Sequence, residues 1–265
     1  MGVMVFIESI ILGLIQGLTE FIPISSSGHL VIAQNFFSGA SDHLFLEWIN
    51  IGTMLALVVY FWRRIMTILQ DIFVKHNVRL LRNIILTSLP AGIVGYLAAD
   101  AIGSNAFFGS VYVVAVMSAV VGVIMIVLEK LPKASPTRDG EHLTKTRAFA
   151  IGVAQMIALI PGTSRSGATI IAGRLSGLSA KEAAEYSFLA SLPIMAGVTL
   201  KVMAHDYSYF AMHLDTLIIG NIAAFVSGLI AVGFLMRYLA NHSLALFGWY
   251  RVVLSVVLIT ILLVQ

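Results

Sequence analysis

Residues 16–29 read QGLTEFIPISSSGH, and the rest of the chain is organised around them. They set a carboxylate, three consecutive hydroxyls and an imidazole between the apolar runs 12–15 and 30–33. Such groups are costly at membrane depth unless they are paired or hydrated. Pro23 and Gly28 also interrupt a helix, and broken backbone inside a bilayer is tolerated only where it is buried in protein or lines a water-filled cavity. The stretch is therefore predicted to be a re-entrant element that faces an aqueous pocket.

The composition is that of a membrane protein. Of the 265 residues, 59% are hydrophobic and 11% are charged, whereas a soluble domain has roughly 45–50% apolar and about 25% charged residues. The absence of cysteine excludes disulfides and thiolate metal sites. The net charge of +3 is modest, and no nucleic-acid partner is expected. We expect a single integral membrane domain, residues 1–265.

Six segments are long and apolar enough to cross a bilayer, which takes about 20 residues. The predicted crossings are 46–62, 83–100, 111–128, 182–204, 214–236 and 245–264. Two further hydrophobic regions, 3–37 and 148–178, are interrupted by Pro, Gly, Ser and charged residues. Each is predicted to be a re-entrant helix pair. The fold class is an all-α polytopic membrane protein with six transmembrane helices and two re-entrant pairs.

The distribution of basic residues sets the orientation, because Lys and Arg concentrate in cytoplasmic loops. Segments 63–82 and 130–147 are rich in Lys and Arg and are predicted to be cytoplasmic. Three connections contain neither residue and are predicted to lie outside: 38–45, 101–110 and 205–213. Arg237 and Arg251 are predicted to flank the last inner turn. Both termini then lie outside.

The two halves of the chain, about 1–128 and 148–265, repeat one pattern across a cytoplasmic linker at 129–147. The matches are Gly13 with Gly152, Gln16 with Gln155, Pro23 with Pro161, Ser27 with Ser166 and Gly28 with Gly167. Each half has an odd number of crossings, so the halves are predicted to be inverted relative to each other. In transporters built this way, the site forms where the broken elements meet. Chance recurrence of small residues is the alternative.

The second broken element reads PGTSRSGAT, residues 161–169, and it favours a phosphate-like ligand. Arg165 offers a planar fork of donors that suits phosphate oxygens. A helix starting near Gly167 would aim its first N–H groups into the same pocket, which is a ready anion site. Hydroxyl groups for substrate binding come from Thr163, Ser164, Ser166 and Thr169.

Glu20 would repel a phosphate ligand, and this conflict suggests a divalent cation between them. Mg²⁺ or Ca²⁺ binds carboxylate oxygens and bridges to substrate phosphates. Gln16 lies one helical turn before Glu20, so the two side chains share a helix face. The Gln16 carbonyl could complete the metal shell or hold a water, and a helix-packing hydrogen bond is the alternative.

The run from Ser25 to His29 supplies what phosphoryl transfer still needs. A serine hydroxyl becomes a nucleophile when a base takes its proton, and His29 can be that base or the acid for the leaving group. Alternatively, His29 is itself the nucleophile, or a metal-bound water attacks directly. The sequence does not distinguish among these three mechanisms. Helix capping is the structural alternative, but it explains one of Ser25, Ser26 and Ser27 and not the whole set.

The motifs at 16–29 and 161–169 resemble the signatures of the bacterial undecaprenyl-diphosphatase family, the BacA/UppP type of bacitracin-resistance proteins. The resemblance includes FWRR at 61–64 and EYSF at 185–188, and it extends over essentially the whole chain. It implies hydrolysis of undecaprenyl diphosphate to undecaprenyl phosphate and phosphate, which recycles the lipid carrier for peptidoglycan synthesis. It also implies a bacterial cytoplasmic (inner) membrane protein whose pocket faces the periplasm or outside and requires a divalent cation.

By this resemblance, Glu20 acts in metal binding or base catalysis, and Ser26 is a nucleophile or phosphate ligand. His29 is an acid, base or nucleophile, and Arg165 stabilises the diphosphate. Many family members have Glu where this chain has Gln16, and the family pattern accepts either. The implied partners are a polyprenyl diphosphate and membrane lipids, and a homodimer is left open. A polyprenyl-phosphate flippase, or an enzyme that also flips lipid, is the alternative function.

Overall fold

The computed structural model describes residues 2–34, 43–131 and 136–264. Within these ranges the chain is helical and contains no strand. The end of the predicted re-entrant region 3–37, most of the outer connection 38–45 and part of the linker 129–147 lie outside the described residues. The helices are α1 (Gly2–Phe21), α2 (Ser26–Gln34), α3 (His43–Tyr60), α4 (Trp62–Phe73), α5 (Arg79–Leu97), α6 (Ala99–Ser104), α7 (Val111–Leu128), α8 (Lys145–Ile157), α9 (Arg165–Leu175), α10 (Ala180–His205), α11 (Tyr207–Met212), α12 (Leu214–Asn241) and α13 (Ala245–Val264).

Among the described residues, seven helices are long and apolar enough to cross a membrane. Six of them, α3, α5, α7, α10, α12 and α13, coincide with the predicted crossings, and α7 and α13 do so to the residue. The seventh is α1, which the sequence assigns to the first arm of a re-entrant pair. The prediction of an all-helical polytopic membrane protein is confirmed.

Both interrupted regions form helix pairs around a break. The first break lies at 22–25, between α1 and α2, and the second lies at 158–164, between α8 and α9. Each break contains a proline, which cannot donate a helical hydrogen bond. Gly162 has a φ of +86°, and a Cβ there would lie 2.7 Å from the carbonyl oxygen of Val114. Only glycine lets the second break lie this close to α7.

Two long helix contacts hold these pairs in place, α1 against α12 and α8 against α5. Both depend on glycine. A Cβ on Gly13 would lie 2.3 Å from the carbonyl oxygen of Gly220, and one on Gly152 would lie 2.6 Å from that of Thr87. Small residues at such contacts are typical of membrane proteins, because close packing replaces the hydrophobic effect between helices in lipid. The helices α7 and α13 pack together beside both breaks.

The basic segment 63–82, which the sequence indicates only as a loop, contains the helix α4. None of its residues is buried. The apolar residues Ile65, Ile68 and Leu69 recur at helical spacing, whereas Arg63 is exposed. An amphipathic helix of this kind suits a membrane surface rather than its interior. The short helix α11 lies in the predicted connection 205–213, and α6 begins at the end of the predicted crossing 83–100 and continues into the connection 101–110.

Candidate active site

Each break ends at a serine with left-handed backbone, Ser25 with a φ of 78° and Ser164 with a φ of 73°. This conformation costs a residue other than glycine roughly 1–2 kcal/mol. A serine offsets the cost because its side chain caps the helix that follows. Ser25 Oγ accepts a hydrogen bond from the Gly28 amide at 3.2 Å, and Ser164 Oγ accepts one from the Gly167 amide at 3.1 Å. The capping alternative is thus confirmed for Ser25.

The hydroxyl groups around these caps form the same local network in both motifs. Ser25 Oγ lies 3.2 Å from Ser27 Oγ, and Ser164 Oγ lies 3.1 Å from Ser166 Oγ. The helices α2 and α9 therefore both begin at a cluster of hydroxyls. Because the N-terminus of a helix carries partial positive charge, both clusters favour an anionic ligand.

Glu20, in the last turn of α1, joins the two motifs. Its Oε2 accepts hydrogen bonds from Ser26 Oγ at 2.5 Å and from Gln16 Nε2 at 3.1 Å, and its Oε1 forms an ion pair with the Arg165 guanidinium. The Glu20 side chain is 11% exposed and that of Arg165 is 22% exposed. A hydroxyl, a carboxylate and a guanidinium from both broken elements are therefore in direct contact.

Gln16 extends this network to α3. Its Nε2 donates a second hydrogen bond, at 2.6 Å, to Asn50 Oδ1. An amide nitrogen has two hydrogens to donate, so both are used by Glu20 and Asn50. The Gln16 carbonyl oxygen is then the atom that can accept from a water or bind a cation.

Both nitrogens of the His29 ring have partners other than the Ser26 hydroxyl. The ring Nδ1 lies 2.7 Å from the carbonyl oxygen of Ser25, and its Nε2 lies 2.8 Å from the hydroxyl of Tyr250 on α13. Ser26 instead donates to Glu20. Of the groups able to take the Ser26 proton, the structure places the Glu20 carboxylate next to it.

The remaining hydroxyls of the second motif differ in their surroundings. Ser166 Oγ donates to the backbone oxygen of Glu20 at 3.3 Å. Thr163 Oγ1 is buried and has no hydrogen-bond partner in the described part of the chain. Thr169 Oγ1 lies 2.5 Å from Ser187 Oγ on α10 and donates to its own helix. Thr169 thus connects α9 to α10, whereas Ser166 lies beside Glu20.

Arg251 is the main residue at the site that sequence reasoning misplaced. It is predicted to flank an inner turn, yet its side chain is fully buried in α13. It donates to the carbonyl oxygen of Pro23 at 3.1 Å, to that of Gly162, and more weakly to those of Met117 and Ser118 at 3.5 Å. Its position inside the predicted crossing 245–264 was a usable signal, because charges within spans are rarely without a role.

The oxygen atoms of Glu20 and Gln16 suit a divalent cation only when phosphate oxygens and waters complete its coordination shell. Within the described ranges, no group of three or more His, Cys, Asp or Glu side chains could hold a metal ion. A hard cation is nevertheless held by one or two carboxylates when phosphate oxygens and waters complete its shell. Glu20 and the Gln16 carbonyl therefore suit a cation shared with a phosphate ligand.

These features define a polytopic helical membrane protein whose site is suited to a phosphate-type ligand. The chain belongs to the family of the bacitracin resistance protein BacA, whose model matches residues 9–257. It is similar to the undecaprenyl-diphosphatase of Desulfitobacterium hafniense, at 36% identity over 270 residues that cover 98% of this chain and 96% of the relative. It is also similar to undecaprenyl-diphosphatase 1 of Clostridioides difficile, at 38% over 263 residues, 95% and 94% of the two chains. The undecaprenyl-diphosphatase of Enterococcus faecalis is 35% identical over 267 residues, 96% of each chain. The family resemblance is confirmed.

Proposed function

We propose that this protein hydrolyses undecaprenyl diphosphate to undecaprenyl phosphate and inorganic phosphate. The relatives that match nearly the whole chain carry the name of that activity. The observation that carries the proposal is the contact of Ser26 and Arg165 with the two oxygens of one carboxylate, Glu20. This contact brings together a hydroxyl nucleophile, Ser26, a base, Glu20, and a guanidinium suited to phosphate, Arg165.

The first step that this geometry favours is attack by Ser26. A hydroxyl hydrogen-bonded to a carboxylate is an activated nucleophile. Glu20 takes the Ser26 proton while Oγ bonds to the terminal phosphorus, and the bond from that phosphorus to the bridging oxygen breaks. Undecaprenyl phosphate departs with the electron pair of that bond. Water then attacks the phosphoserine, which releases phosphate and returns the hydroxyl to Ser26.

Stabilisation of charge supplies most of the catalysis in phosphoryl transfer. Arg165 uses one nitrogen for Glu20, and its remaining N–H groups are suited to the equatorial phosphate oxygens. Hydroxyls at the starts of α2 and α9 bind the outer oxygens, from Ser25, Ser27, Thr163, Ser164 and Ser166. A divalent cation, Mg²⁺ or Ca²⁺, would neutralise the charge on the diphosphate when it is held by Glu20 and Gln16.

His29 is assigned to the proton that the leaving group or the attacking water exchanges. Its ring is held on the α13 side of the site by Tyr250, whereas the Ser26 proton faces Glu20 on α1. Two proton-transfer groups on different sides match a reaction that needs one proton taken and one given.

The proposed location is the bacterial inner membrane, with the pocket open to the outer face. A lipid carrier cannot leave the bilayer, so its head group must reach Glu20 by lateral entry between helices. An inverted repeat, which would place the site centrally, is supported by two correspondences. The contact of α1 with α12 corresponds to that of α8 with α5, and the strained caps Ser25 and Ser164 occupy matching places.

The test is phosphate release from undecaprenyl diphosphate by the purified protein in detergent, with and without chelator. Wild type is compared with Ser26→Ala, Glu20→Gln and Arg165→Ala. Glu47→Gln is the matched control, because Glu47 is a partly exposed carboxylate that faces His43 rather than the site. We expect release in wild type and control only, and a radiolabelled phosphate trapped on Ser26 at early times. Release that persists in Glu20→Gln would overturn the assignment of the base.

A polyprenyl-phosphate flippase is the rival function, and the relatives' names do not favour it. A transporter needs charge complementarity but no hydroxyl held on a carboxylate. The flippase would be the function if a well-folded wild-type protein bound the lipid, released no phosphate and moved the lipid between the leaflets of a vesicle.

A further inference from the structure

Both ring nitrogens of His29 have partners, and the partners come from different elements. Nδ1 lies 2.7 Å from the carbonyl oxygen of Ser25, at the start of α2. Nε2 lies 2.8 Å from the hydroxyl of Tyr250, on α13. The two rings are nearly parallel, with planes 12° apart and centroids separated by 5.8 Å. The imidazole is thus held both in its own turn and from across the site.

These contacts determine which nitrogen carries the proton. A carbonyl oxygen can only accept, so Nδ1 must be the N–H that donates to Ser25. In the neutral imidazole, Nε2 then has the lone pair and accepts from the Tyr250 hydroxyl. When Nε2 takes up a proton, the hydroxyl can rotate and accept from it instead. Tyrosine can therefore serve both charge states of His29.

We propose that Tyr250 is a positioning residue that fixes the orientation of the His29 ring for proton transfer. The inference rests on the proposed hydrolysis for its catalytic consequence, but not for the contact itself. A histidine that moves protons is generally oriented by the partner of its other nitrogen. In this site the Ser25 carbonyl sets the tautomer, and Tyr250 holds Nε2, the nitrogen that exchanges the proton.

The neighbouring residue on α13 explains why Tyr250 can do this. Arg251 donates to the carbonyl oxygens of Pro23 and Gly162 and so anchors α13 to both breaks. Ser25 lies two residues after Pro23. The turn that binds His29 Nδ1 is therefore the same turn that Arg251 connects to α13, the helix that carries Tyr250. The buried contacts of Arg251 consequently fix the position of the Tyr250 hydroxyl, although the Tyr250 side chain is 44% exposed.

The competing explanation is that Tyr250 is an aromatic side chain that faces lipid. Tyrosine is enriched at membrane interfaces, where its ring matters more than a particular hydrogen bond. The two explanations differ in what happens when only the hydroxyl is removed. Tyr250→Phe keeps the stacked ring and deletes the bond to Nε2.

The kinetic experiment compares Tyr250→Phe with wild type in phosphate release. We expect kcat to fall roughly tenfold, equivalent to about 1.4 kcal/mol, with KM and the melting temperature unchanged. Tyr112→Phe is the control, because Tyr112 on the adjacent α7 is 59% exposed and has no hydrogen-bond partner in the described residues. An unchanged kcat in Tyr250→Phe, or an equal loss in Tyr112→Phe, would overturn the proposal.

A double variant shows whether Tyr250 acts through His29. In the His29→Gln background, removal of the Tyr250 hydroxyl is expected to cost nothing further, because the group that it positions is gone. Equal fractional losses in the two backgrounds would mean that the hydroxyl acts elsewhere. Both outcomes are measured as the residual rate of phosphate release in the His29→Gln background, with and without Tyr250→Phe, under prolonged incubation.

A spectroscopic experiment tests the pair without substrate. In protein labelled with ¹⁵N-histidine, the His29 signals are those absent from His29→Gln. We expect a protonated Nδ1 and a hydrogen-bonded, unprotonated Nε2 where imidazole is neutral, and a displaced Nε2 signal in Tyr250→Phe. A protonated Nε2 in the neutral ring, or no displacement, would refute the contact. If wild type released no phosphate, the proposed hydrolysis would fail, whereas this spectrum would still decide on the His29–Tyr250 pair.

Discussion

Replacement of Arg251 by methionine is expected to destabilise the protein substantially, because one side chain pairs the carbonyls of both breaks. Its guanidinium donates to Pro23 at 3.1 Å and to Gly162, and it makes longer contacts with Met117 and Ser118. Methionine has a similar length and no donor. The variant therefore leaves buried acceptors without partners while it preserves most of the volume.

The magnitude follows from the two shorter bonds. An unpaired buried acceptor costs about 1–3 kcal/mol, so two of them predict about 2–6 kcal/mol. Loss of a buried charge also removes its desolvation penalty, which offsets part of this cost, and we expect about 2–4 kcal/mol. At about 2–4 °C per kcal/mol for chains near this size, the melting temperature should fall by roughly 5–15 °C.

Thermal unfolding in detergent, followed by the fluorescence of the 3 tryptophans at one fixed scan rate, measures this shift. Arg237→Met is the matched control, because Arg237 on α12 is exposed and has no hydrogen-bond partner in the described residues. Arg251→Lys keeps the charge but cannot serve carbonyls on both breaks, so it should recover only part of the loss. Equal melting temperatures for Arg251→Met and Arg237→Met would refute the reasoning.

Three further predictions concern single groups. Arg165→Lys should lower kcat for phosphate release by about 10²–10³, because an ammonium cannot replace the planar fork; near wild-type turnover would contradict its role. Gln16→Glu adds a second carboxylate one turn from Glu20, and a Mg²⁺ titration of activity should show half-saturation at lower concentration, whereas a shift to higher concentration would count against a cation there. Burial raises the pKa of Asp139, but hydrogen bonds from His142 outweigh this and hold the pKa below its usual value. The resulting stability is present above the unfolded pKa of 3.8 and is lost as pH falls through the lower folded value. Asp139→Asn should therefore lower the melting temperature at neutral pH and by progressively less as pH falls below 3.8, and a difference that stays constant over this range would be contrary to this.

The sequence allowed the helices and the two motifs to be predicted because both signals are local. Apolar runs give the crossings directly, and the polar residues within 16–29 and 161–169 are anomalous for membrane sequence. The meeting of Glu20 with Arg165 is what the predicted repeat led us to expect, since matching broken elements converge in such folds.

The contributions of α13 could not be predicted in the same way. Periodicity shows that 245–264 is an apolar helix, but it does not show which helix or turn the residues contact. Tyr250 and Arg251 reach His29, Pro23 and Gly162 from the far end of the chain. Such contacts depend on how α13 packs on α7, where a Cβ on Gly122 would lie 2.8 Å from a carbonyl oxygen of α13.

The two arginines of the site differ in what their partners allow them to do. Arg251 is paired with backbone carbonyls, and these cannot move without displacing both breaks. Arg165 is paired with a carboxylate that also holds Ser26, and one guanidinium nitrogen makes that contact, so its remaining N–H groups suit phosphate oxygens. A bound diphosphate would then use the Arg165 donors that Glu20 does not occupy, while Glu20 stays beside Ser26 as the proposed base. Arg251 is therefore a fixed charge of the framework, whereas Arg165 is the charge that substrate can engage.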